Sequence, residues 1–264
     1  MIKVGVVGAL GKMGQEVVKA VFNAEDTQLV MAVDIQKVGE DIGQIVLGQP
    51  LNVSIKSNLI EAIKTDSPDV IVDFTQPSSI FEHVCIFLEN KIHSVIGTTG
   101  LSEDQLKKIE ELSSENKTSC LVAPNFSTGA ILLMTFAKQA AKYFDNAEII
   151  ELHHNQKKDA PSGTAIKTAQ LMAESNSNFS TGNCPEVELI DGARGANTEE
   201  NIRIHSVRMP GYIASQEVIF GANGQIFKIK HDTMDRSCYM AGVLLSIRHV
   251  CKKIGFVYGL ENIM

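Results

Sequence analysis

The sequence IKVGVVGALGKMG, residues 2–14, joins a β-branched apolar run to a loop of three regularly spaced glycines. The run Ile2–Val7 predicts a buried strand, and Met13–Asn23 has the apolar spacing of a helix. The G-x-x-G-x-x-G loop between them lets the backbone turn tightly and approach a pyrophosphate, which the free N–H groups of a helix N-terminus bind. Asp34 ends the next predicted strand, Leu29–Val33, 20 residues after Gly14. This spacing predicts a dinucleotide-binding fold.

Asp34 also predicts which dinucleotide is preferred. Its carboxylate would accept hydrogen bonds from the adenosine ribose and repel a 2′-phosphate, which favours NADH over NADPH. Lys12 and Lys37 could instead pair with that phosphate, so we expect some use of NADPH. The residues expected to hold this part of the cofactor are Gly8, Ala9, Leu10, Gly11, Lys12, Met13 and Asp34.

Short apolar runs and amphipathic stretches alternate as far as residue 124, which predicts a parallel sheet wound by helices. The predicted strands are Val70–Phe74, Ser94–Ile96 and Cys120–Ala123, and the predicted helices are Ile80–Asn90 and Ser102–Glu115. Ligands of such sheets bind beyond the carboxyl ends of the strands. Two loops there carry small polar groups suited to a nicotinamide and its ribose, namely Gly97, Thr98 and Thr99, and Ala123, Pro124, Asn125 and Phe126. Asp73-Phe74-Thr75 ends another strand, and the sequence alone gives it no role.

From about residue 125 the pattern changes, because strands begin to follow one another directly. Asn223-Gly224 lies between two apolar runs and predicts a hairpin in an open mixed or antiparallel sheet. The predicted strands are Ala147–His153, Ile202–Val207, Glu217–Phe220 and Ile226–His231. The predicted helices are Thr128–Phe144, Ser162–Glu174 and Ser237–Lys253, with a polar loop at Ser175–Pro185.

The densest polar cluster of the chain is Glu148–Ala165, with two histidines, two lysines and a Ser-Gly-Thr turn. An apolar strand leads to His153 and His154, and histidine can transfer protons near neutral pH. Lys157 adds a positive charge, and Ser162–Thr164 places hydroxyls and N–H groups at a helix N-terminus, where a carboxylate binds well. The cluster suits a small anionic substrate that undergoes proton transfer. Structural histidines and solvated lysines are the alternative interpretation, and a metal site lacks nearby third and fourth ligands.

The run Glu148–Ala165 matches E-[IV]-x-E-x-H-x-x-x-K-x-D-x-P-S-G-T-A at every specified position, and so resembles the 4-hydroxy-tetrahydrodipicolinate reductase (dihydrodipicolinate reductase) family. The glycine loop at Gly8–Gly14, G-T-T-G at Gly97–Gly100 and A-P-N-F-S at Ala123–Ser127 follow in the order of that family. The resemblance implies NADH- or NADPH-dependent reduction of a cyclic dicarboxylate to tetrahydrodipicolinate, in diaminopimelate and lysine biosynthesis. It also implies a Rossmann domain with an inserted α+β domain, assembled as a homotetramer.

The resemblance further implies a role for each matching residue. His153 and Lys157 match the catalytic proton-transfer positions, and His154, Gly163 and Thr164 match substrate-binding positions. Ile35 stands where some members carry a basic residue after the ribose acid, which argues against strong use of NADPH. Arg236, near the last helix, is a further candidate.

Length and composition limit the alternatives. The 264 residues fit one large or two modest domains, which we place at 1–124 plus 235–264 for the cofactor and 125–234 for substrate and assembly. A net charge of −7 argues against nucleic-acid binding. Five scattered cysteines indicate a reducing cytosol, and no apolar run is long enough for a membrane span or a signal peptide. The remaining alternatives are a homoserine or aspartate dehydrogenase-like oxidoreductase and a non-catalytic NAD-binding sensor.

Overall fold

The computed structural model describes residues 1–182 and 184–264. They divide into two compact units, and each forms its own sheet. Unit 1 comprises Met1–Thr128 and Tyr239–Met264, and unit 2 comprises Gly129–Cys238. Both boundaries between the units lie a few residues beyond the predicted ones.

Unit 1 contains a seven-stranded sheet in which all the paired strands are parallel. Its strands are β1 (Ile2–Val7), β2 (Thr27–Val33), β3 (Ile55–Lys56), β4 (Val70–Asp73), β5 (His93–Ile96), β6 (Ser119–Val122) and β12 (Gly255–Tyr258). Its helices are α1 (Lys12–Asn23), α2 (Ile42–Val46), α3 (Leu59–Asp66), α4 (Ile80–Glu89), α5 (Glu103–Asn116) and α8 (Met240–Val250). Strands of a parallel sheet are usually buried on both faces, so their residues are apolar throughout. Val4, Val72 and Leu121, for example, are completely buried.

The strand order β12-β6-β5-β4-β1-β2-β3 places the start of the chain in the middle of the sheet. From β1 the chain first builds outward through β2 and β3, and then crosses to β4 on the other side. The connections therefore leave β1 and β4 in opposite directions. A crevice forms at such a switch point, beyond the carboxyl ends of the two strands, and it is the usual ligand site of wound sheets.

The glycine loop is packed tightly against the helix that it opens. A Cβ atom on Gly14 would lie 2.0 Å from the Gly8 carbonyl oxygen, so α1 could not approach the loop with a larger residue there. Gly8 itself has φ +76°, a conformation that favours glycine. Two of the three glycines are thus required by local geometry.

Unit 2 contains a mixed sheet of order β11-β10-β7-β9-β8. Its strands are β7 (Asn146–His153), β8 (Ala196–Asn197), β9 (Arg203–Arg208), β10 (Ala214–Ala222) and β11 (Gln225–Thr233), and its helices are α6 (Thr128–Ala140) and α7 (Gly163–Ala173). The predicted hairpin is confirmed, since β10 and β11 pair antiparallel across Asn223-Gly224. Only β7 and β9 pair in parallel.

Most predicted elements are present within a few residues. At the start of α5, Ser102 and Gln105 form a capping box. Two helix predictions were too long: α6 ends at Ala140, before a 3₁₀ turn, and α8 begins at Met240, after a 3₁₀ turn. The polar loop at Ser175–Pro185 is irregular where it is described, and Asn183 lies outside the described residues. The elements with no sequence prediction are α2, α3, β3, β8 and β12.

We expect Gly14→Ala to lower the free energy of unfolding by about 1–3 kcal/mol, because its methyl group would collide with the Gly8 carbonyl. Helix propensity alone would favour alanine by about 1 kcal/mol, so a loss isolates the effect of the contact. Urea unfolding followed by circular dichroism measures the change. Gly221→Ala is the matched control, since nothing lies within 4 Å of its added methyl. Equal stability of the two variants would contradict the packing argument.

Candidate active site

In unit 1, the end of β1 and the start of α1 form an anion cradle. Gly11 caps α1 and has no side chain with which to satisfy the first helical N–H groups, which leaves them for a ligand. Asp34 accepts a hydrogen bond from the Leu10 N–H at 2.9 Å through Oδ2 and another from the Gln36 N–H at 3.1 Å through Oδ1. The ribose-binding acid predicted from the sequence is thus held against the glycine loop.

A cleft of about 410 Å³ extends from this cradle along the carboxyl edge of the sheet. Its lining residues are Gly11, Lys12, Met13, Phe74, Thr75, Pro77, Gly97, Thr98 and Thr99. The structure thus joins the glycine loop and the first predicted strand-end loop at one cleft. It also adds residues 74–77, which sequence reasoning left without a role.

The second predicted loop, Ala123–Phe126, lies beside these groups. Phe126 is buried, and its ring centroid lies 5.7 Å from that of Phe74. Asn125 Oδ1 accepts a hydrogen bond from the Ser127 N–H, and this bond fixes the turn. Pro124 contributes with Thr98, Thr99 and Tyr258 to a small adjoining cavity.

These groups fit a nicotinamide dinucleotide. The cradle supplies backbone donors for a pyrophosphate, and Asp34 supplies a carboxylate for ribose hydroxyls. The buried Thr98 hydroxyl has no hydrogen-bond partner among the described residues, although it lines the cleft. A buried polar group of this kind is usually satisfied, so a ligand atom is the expected partner.

In unit 2, the end of β7 carries a buried ionic network. Glu151 is completely buried, and its Oε2 atom lies 2.5 Å from Nδ1 of His153. Arg208 donates to both carboxylate oxygens, at 2.7 and 2.9 Å, and also to the Asp159 carbonyl oxygen at 2.8 Å. The Ser162 N–H donates to Glu151 Oε1 at 3.3 Å. The Glu151 carboxylate therefore contacts His153 and the turn before α7 directly, and it is linked to the Asp159 backbone through Arg208.

The network keeps Glu151 ionised. Burial alone would raise the pKa of this carboxyl, but hydrogen bonds from His153 and Arg208 outweigh it and lower the pKa to about 2. An ionised carboxylate only accepts hydrogen bonds, so His153 Nδ1 carries a proton toward it. This leaves Nε2 as the nitrogen of His153 that is available for acid–base chemistry.

The other predicted residues lie on the loop between β7 and α7. His154 Nδ1 accepts a hydrogen bond from the Gln156 N–H at 3.2 Å, which places its own proton on Nε2. Lys157 Nζ lies 2.8 and 2.7 Å from the two oxygens of Asp159, and this lysine lowers the pKa of the Asp159 carboxyl. An ammonium has three donors, so Lys157 retains at least one for a ligand.

The first turn of α7 presents the N–H groups of Gly163 and Thr164. The Ser162 hydroxyl accepts from the Ala165 N–H at 3.2 Å and thereby caps the helix. The N–H groups at the very start of a helix lack intrahelical partners and carry partial positive charge. They are suited to a carboxylate, and they lie directly after the loop that carries His154 and Lys157.

Sequence reasoning missed the residues that support this cluster. Arg208 reaches this cluster from β9, which pairs in parallel with β7. No local sequence pattern predicts that pairing. Glu151 could have been found, because it lies two residues before His153 on one strand and so faces the same side of the sheet. Arg236 lies exposed in a 3₁₀ turn after β11, and its role stays a prediction. Among residues 1–182 and 184–264, no group of histidine, cysteine and acidic side chains is arranged to hold a metal ion.

A dinucleotide-binding parallel sheet and an acid–base cluster in one chain define an oxidoreductase of the Rossmann type. Comparison with known proteins gives the particular family. Residues 2–126 match the model described as dihydrodipicolinate reductase, N-terminus, and residues 129–264 match that of its C-terminus. The chain belongs to the dihydrodipicolinate reductase family.

Individual relatives agree over the whole chain. A 4-hydroxy-tetrahydrodipicolinate reductase of Rippkaea orientalis is 53% identical over 270 residues, which cover 100% of this chain and 98% of the relative. The structure of a dipicolinate-bound dihydrodipicolinate reductase from Paenisporosarcina sp. TG-14 superposes with a TM-score of 0.90 and 46% identity, covering 100% of both chains. An amine dehydrogenase from Mycobacterium smegmatis, at 14% identity and a TM-score of 0.71 over 98% of this chain and 95% of that one, shares the fold alone.

We expect Glu151→Gln to lower the free energy of unfolding by about 2–4 kcal/mol at pH 7, since it leaves the half-buried Arg208 without its counter-charge. The folded-state pKa of Glu151, about 2, lies below the ordinary value of 4.5. The stabilisation is therefore complete above about pH 4.5 and is lost as the pH falls toward 2. Urea unfolding at several pH values should show the gap to the unmodified protein closing over this range.

The control for this prediction is Glu199→Gln, which removes the same charge from an exposed position. It should stay within about 0.5 kcal/mol of the unmodified protein at every pH. A stability gap for Glu151→Gln that is the same at pH 7 and pH 3 would mean that the carboxylate charge is not what stabilises the network.

Proposed function

We propose that the chain catalyses the NAD(P)H-dependent reduction of 4-hydroxy-tetrahydrodipicolinate to tetrahydrodipicolinate, in diaminopimelate and lysine biosynthesis. The observation that carries the proposal is the Glu151–His153–Lys157 cluster beside the N-terminus of α7, in a chain of this family. The substrate carries a 4-hydroxyl group that the product lacks. The overall reaction therefore adds a hydride and a proton to the substrate and releases water. A general acid and an anion site are the groups that such a change requires.

We propose that the substrate carboxylates bind the loop between β7 and α7. The Gly163 and Thr164 N–H groups donate to one carboxylate, and the Nε2 proton of His154 is a further donor to the same ligand class. The similar reductase from Paenisporosarcina sp. TG-14 has dipicolinate, a planar dicarboxylate, bound in its structure. Several short donors held by a rigid turn orient such a ligand before reaction.

Two residues handle protons in this proposal. His153 holds its Nδ1 proton toward Glu151, so Nε2 gives or takes the proton that the reaction needs. Lys157 offers an ammonium donor that stabilises negative charge as it develops on the substrate, and can protonate it. The Asp159 carboxylate holds the ammonium group of this lysine close to the loop through two short contacts.

The cofactor fits the cleft of unit 1. When bound, reduced nicotinamide supplies the hydride. Gly8–Met13 would hold the pyrophosphate and Asp34 the adenosine ribose, with the loops at Gly97–Thr99 and Ala123–Phe126 toward the nicotinamide half. We propose a preference for NADH, supported by Asp34 and by exposed Ile35, which offers no charge to a 2′-phosphate. The homotetramer and the cytosolic location stay predictions.

A coupled assay tests the activity. An upstream synthase, pyruvate and aspartate semialdehyde generate the unstable substrate, and the oxidation of NADH reports turnover. We expect Lys157→Ala to lower kcat by at least about a hundredfold, as is typical for loss of an acid–base group, with little change in NADH affinity. Lys158→Ala removes an exposed neighbouring lysine and is the control, with turnover expected within about twofold of the unmodified protein.

Two results would oppose the proposed activity, and a third would oppose only the role of Lys157. Absence of NADH oxidation in the coupled assay, together with activity on homoserine or aspartate, would identify a different oxidoreductase. NADH binding without turnover of any of these substrates would favour a non-catalytic sensor. Turnover of Lys157→Ala equal to that of the unmodified protein would remove its catalytic role but leave the activity standing.

Cofactor choice is tested separately at Asp34. We expect kcat/KM to be higher with NADH, and Asp34→Ser to shift the ratio toward NADPH by about tenfold or more, because relieving a repulsion of about 1.4 kcal/mol has that effect. Steady-state kinetics with each cofactor give the ratio. Glu25→Gln, which removes an exposed carboxylate before β2 at the opposite edge of the sheet, should leave the ratio unchanged. A far higher efficiency with NADPH in the unmodified protein would refute the role of Asp34.

A further inference from the structure

Asp73 is a buried carboxyl group that the proposed mechanism does not use. It is the last residue of β4, and none of its surface is exposed. In the sheet it pairs with Val7, the last residue of β1, so it lies at the switch point between the two strands. A buried carboxyl group without partners is unfavourable, so the hydrogen-bond partners of Asp73 indicate its role.

Both oxygens of Asp73 have short hydrogen bonds. Oδ1 accepts from the Thr75 hydroxyl at 2.6 Å and from the Thr75 N–H at 2.8 Å. Oδ2 lies 2.8 Å from Nδ1 of His83, on α4. One oxygen of Asp73 is thus paired with His83, and the other accepts two hydrogen bonds from Thr75.

The turn fixed in this way forms a wall of the cofactor cleft. Phe74, Thr75 and Pro77 all line it, together with Gly11 and Lys12 of the glycine loop. The turn also packs closely on its neighbours: a Cβ on Gly97 would lie 1.9 Å from the Phe74 ring, and one on Gly8 would lie 2.8 Å from the Phe74 carbonyl oxygen. Thr75 therefore has little freedom to change position.

The bond to Asp73 also sets the polarity of the Thr75 hydroxyl. Its single proton is donated to the carboxylate, so toward any further partner the oxygen is an acceptor. The Ser79 hydroxyl approaches one of its lone pairs at a long 3.3 Å. Ionised phosphate oxygens only accept, so Thr75 is not suited to bind the pyrophosphate. It is suited to an N–H or O–H donor of the ligand.

We propose that Asp73 is a positioning residue, which holds Thr75 as an acceptor for a donor group on the nicotinamide half of the dinucleotide. The ribose hydroxyls and the carboxamide N–H are the donors in that half. The loop at residues 74–77 then joins the glycine loop and the two strand-end loops as a fourth part of the cofactor site. The inference rests on the cofactor assignment of the proposed function, but not on the identity of the substrate.

Direct titration of the full-length protein with NADH and with ADP tests the role of Thr75. Thr75→Val removes the hydroxyl while nearly preserving volume, and we expect it to raise the Kd for NADH by about five- to tenfold, the equivalent of one hydrogen bond. The Kd for ADP, which lacks the nicotinamide half, should stay within about twofold. Thr75→Ser keeps the hydroxyl and should restore most of the NADH affinity.

The matched control is Thr118→Val, which lies before β6 at the opposite edge of the sheet. Thr118 is a buried threonine whose hydroxyl, unlike that of Thr75, has no hydrogen-bond partner among the described residues. NADH affinity should not change in this variant. Unchanged NADH affinity in Thr75→Val, or equal losses for NADH and ADP, would overturn the proposal.

A double-mutant cycle tests whether Asp73 acts through Thr75. We expect Asp73→Ala to weaken NADH binding in the unmodified protein, and to have less than half of that effect on the logarithm of Kd in the Thr75→Val background. Additive effects would show that Asp73 acts independently of Thr75. If Asp73→Ala does not fold, the Thr75 titrations still decide the proposal. Because none of these titrations needs turnover, a wrong substrate assignment would leave their interpretation intact.

Discussion

The proposed chemistry depends on one buried ion pair, Glu151 with Arg208. A carboxylate with no exposed surface is stable only when its charge is balanced and its oxygens are bonded, and Arg208 does both in a bidentate arrangement. The carboxylate oxygens also accept hydrogen bonds from His153 and from the turn before α7. The proton on the histidine and the anion site on the helix are thus set by the same two oxygens. Lys157 is coupled to them through Asp159, whose carboxylate contacts the lysine and whose carbonyl oxygen accepts a hydrogen bond from Arg208.

A second constraint orders unit 1, where parallel strands bring their carboxyl ends to one edge. Loops that are far apart in the sequence meet there, and in the proposed cofactor site they contribute different groups. The glycine loop provides amide donors, Asp34 a carboxylate, Thr98 a buried hydroxyl and Thr75 an acceptor hydroxyl. Close packing fixes their spacing, since glycines at 8, 14 and 97 leave no room for side chains. Binding groups are supplied by loops, but their positions are determined by the sheet.

The fold of this chain was largely predictable because its signals are local. The glycine loop and Asp34 together predict a dinucleotide-binding fold. Asn223-Gly224 predicts a β-hairpin, which the structure contains. The short strand β12 was missed because its four residues, Gly255–Tyr258, are too few to show an alternating pattern; the strand is defined by its pairing with β6. Arg208 and Thr75 were missed for a related reason. Their importance comes from partners brought together by strand pairing or by a turn, and a single sequence does not display such partners.

The position of β12 has a consequence for the order in which the chain can fold during synthesis. Unit 2 is continuous in sequence, whereas the sheet of unit 1 receives its edge strand and the helix α8 from the last 26 residues. The Ser119 hydroxyl bonds the Gly255 carbonyl across 136 residues. Residues 1–128 are therefore synthesised before the segment that completes their sheet, and until then β6 has one unpaired edge. Exposed strand edges of this kind favour association between chains, and β12 covers this edge once it pairs with β6.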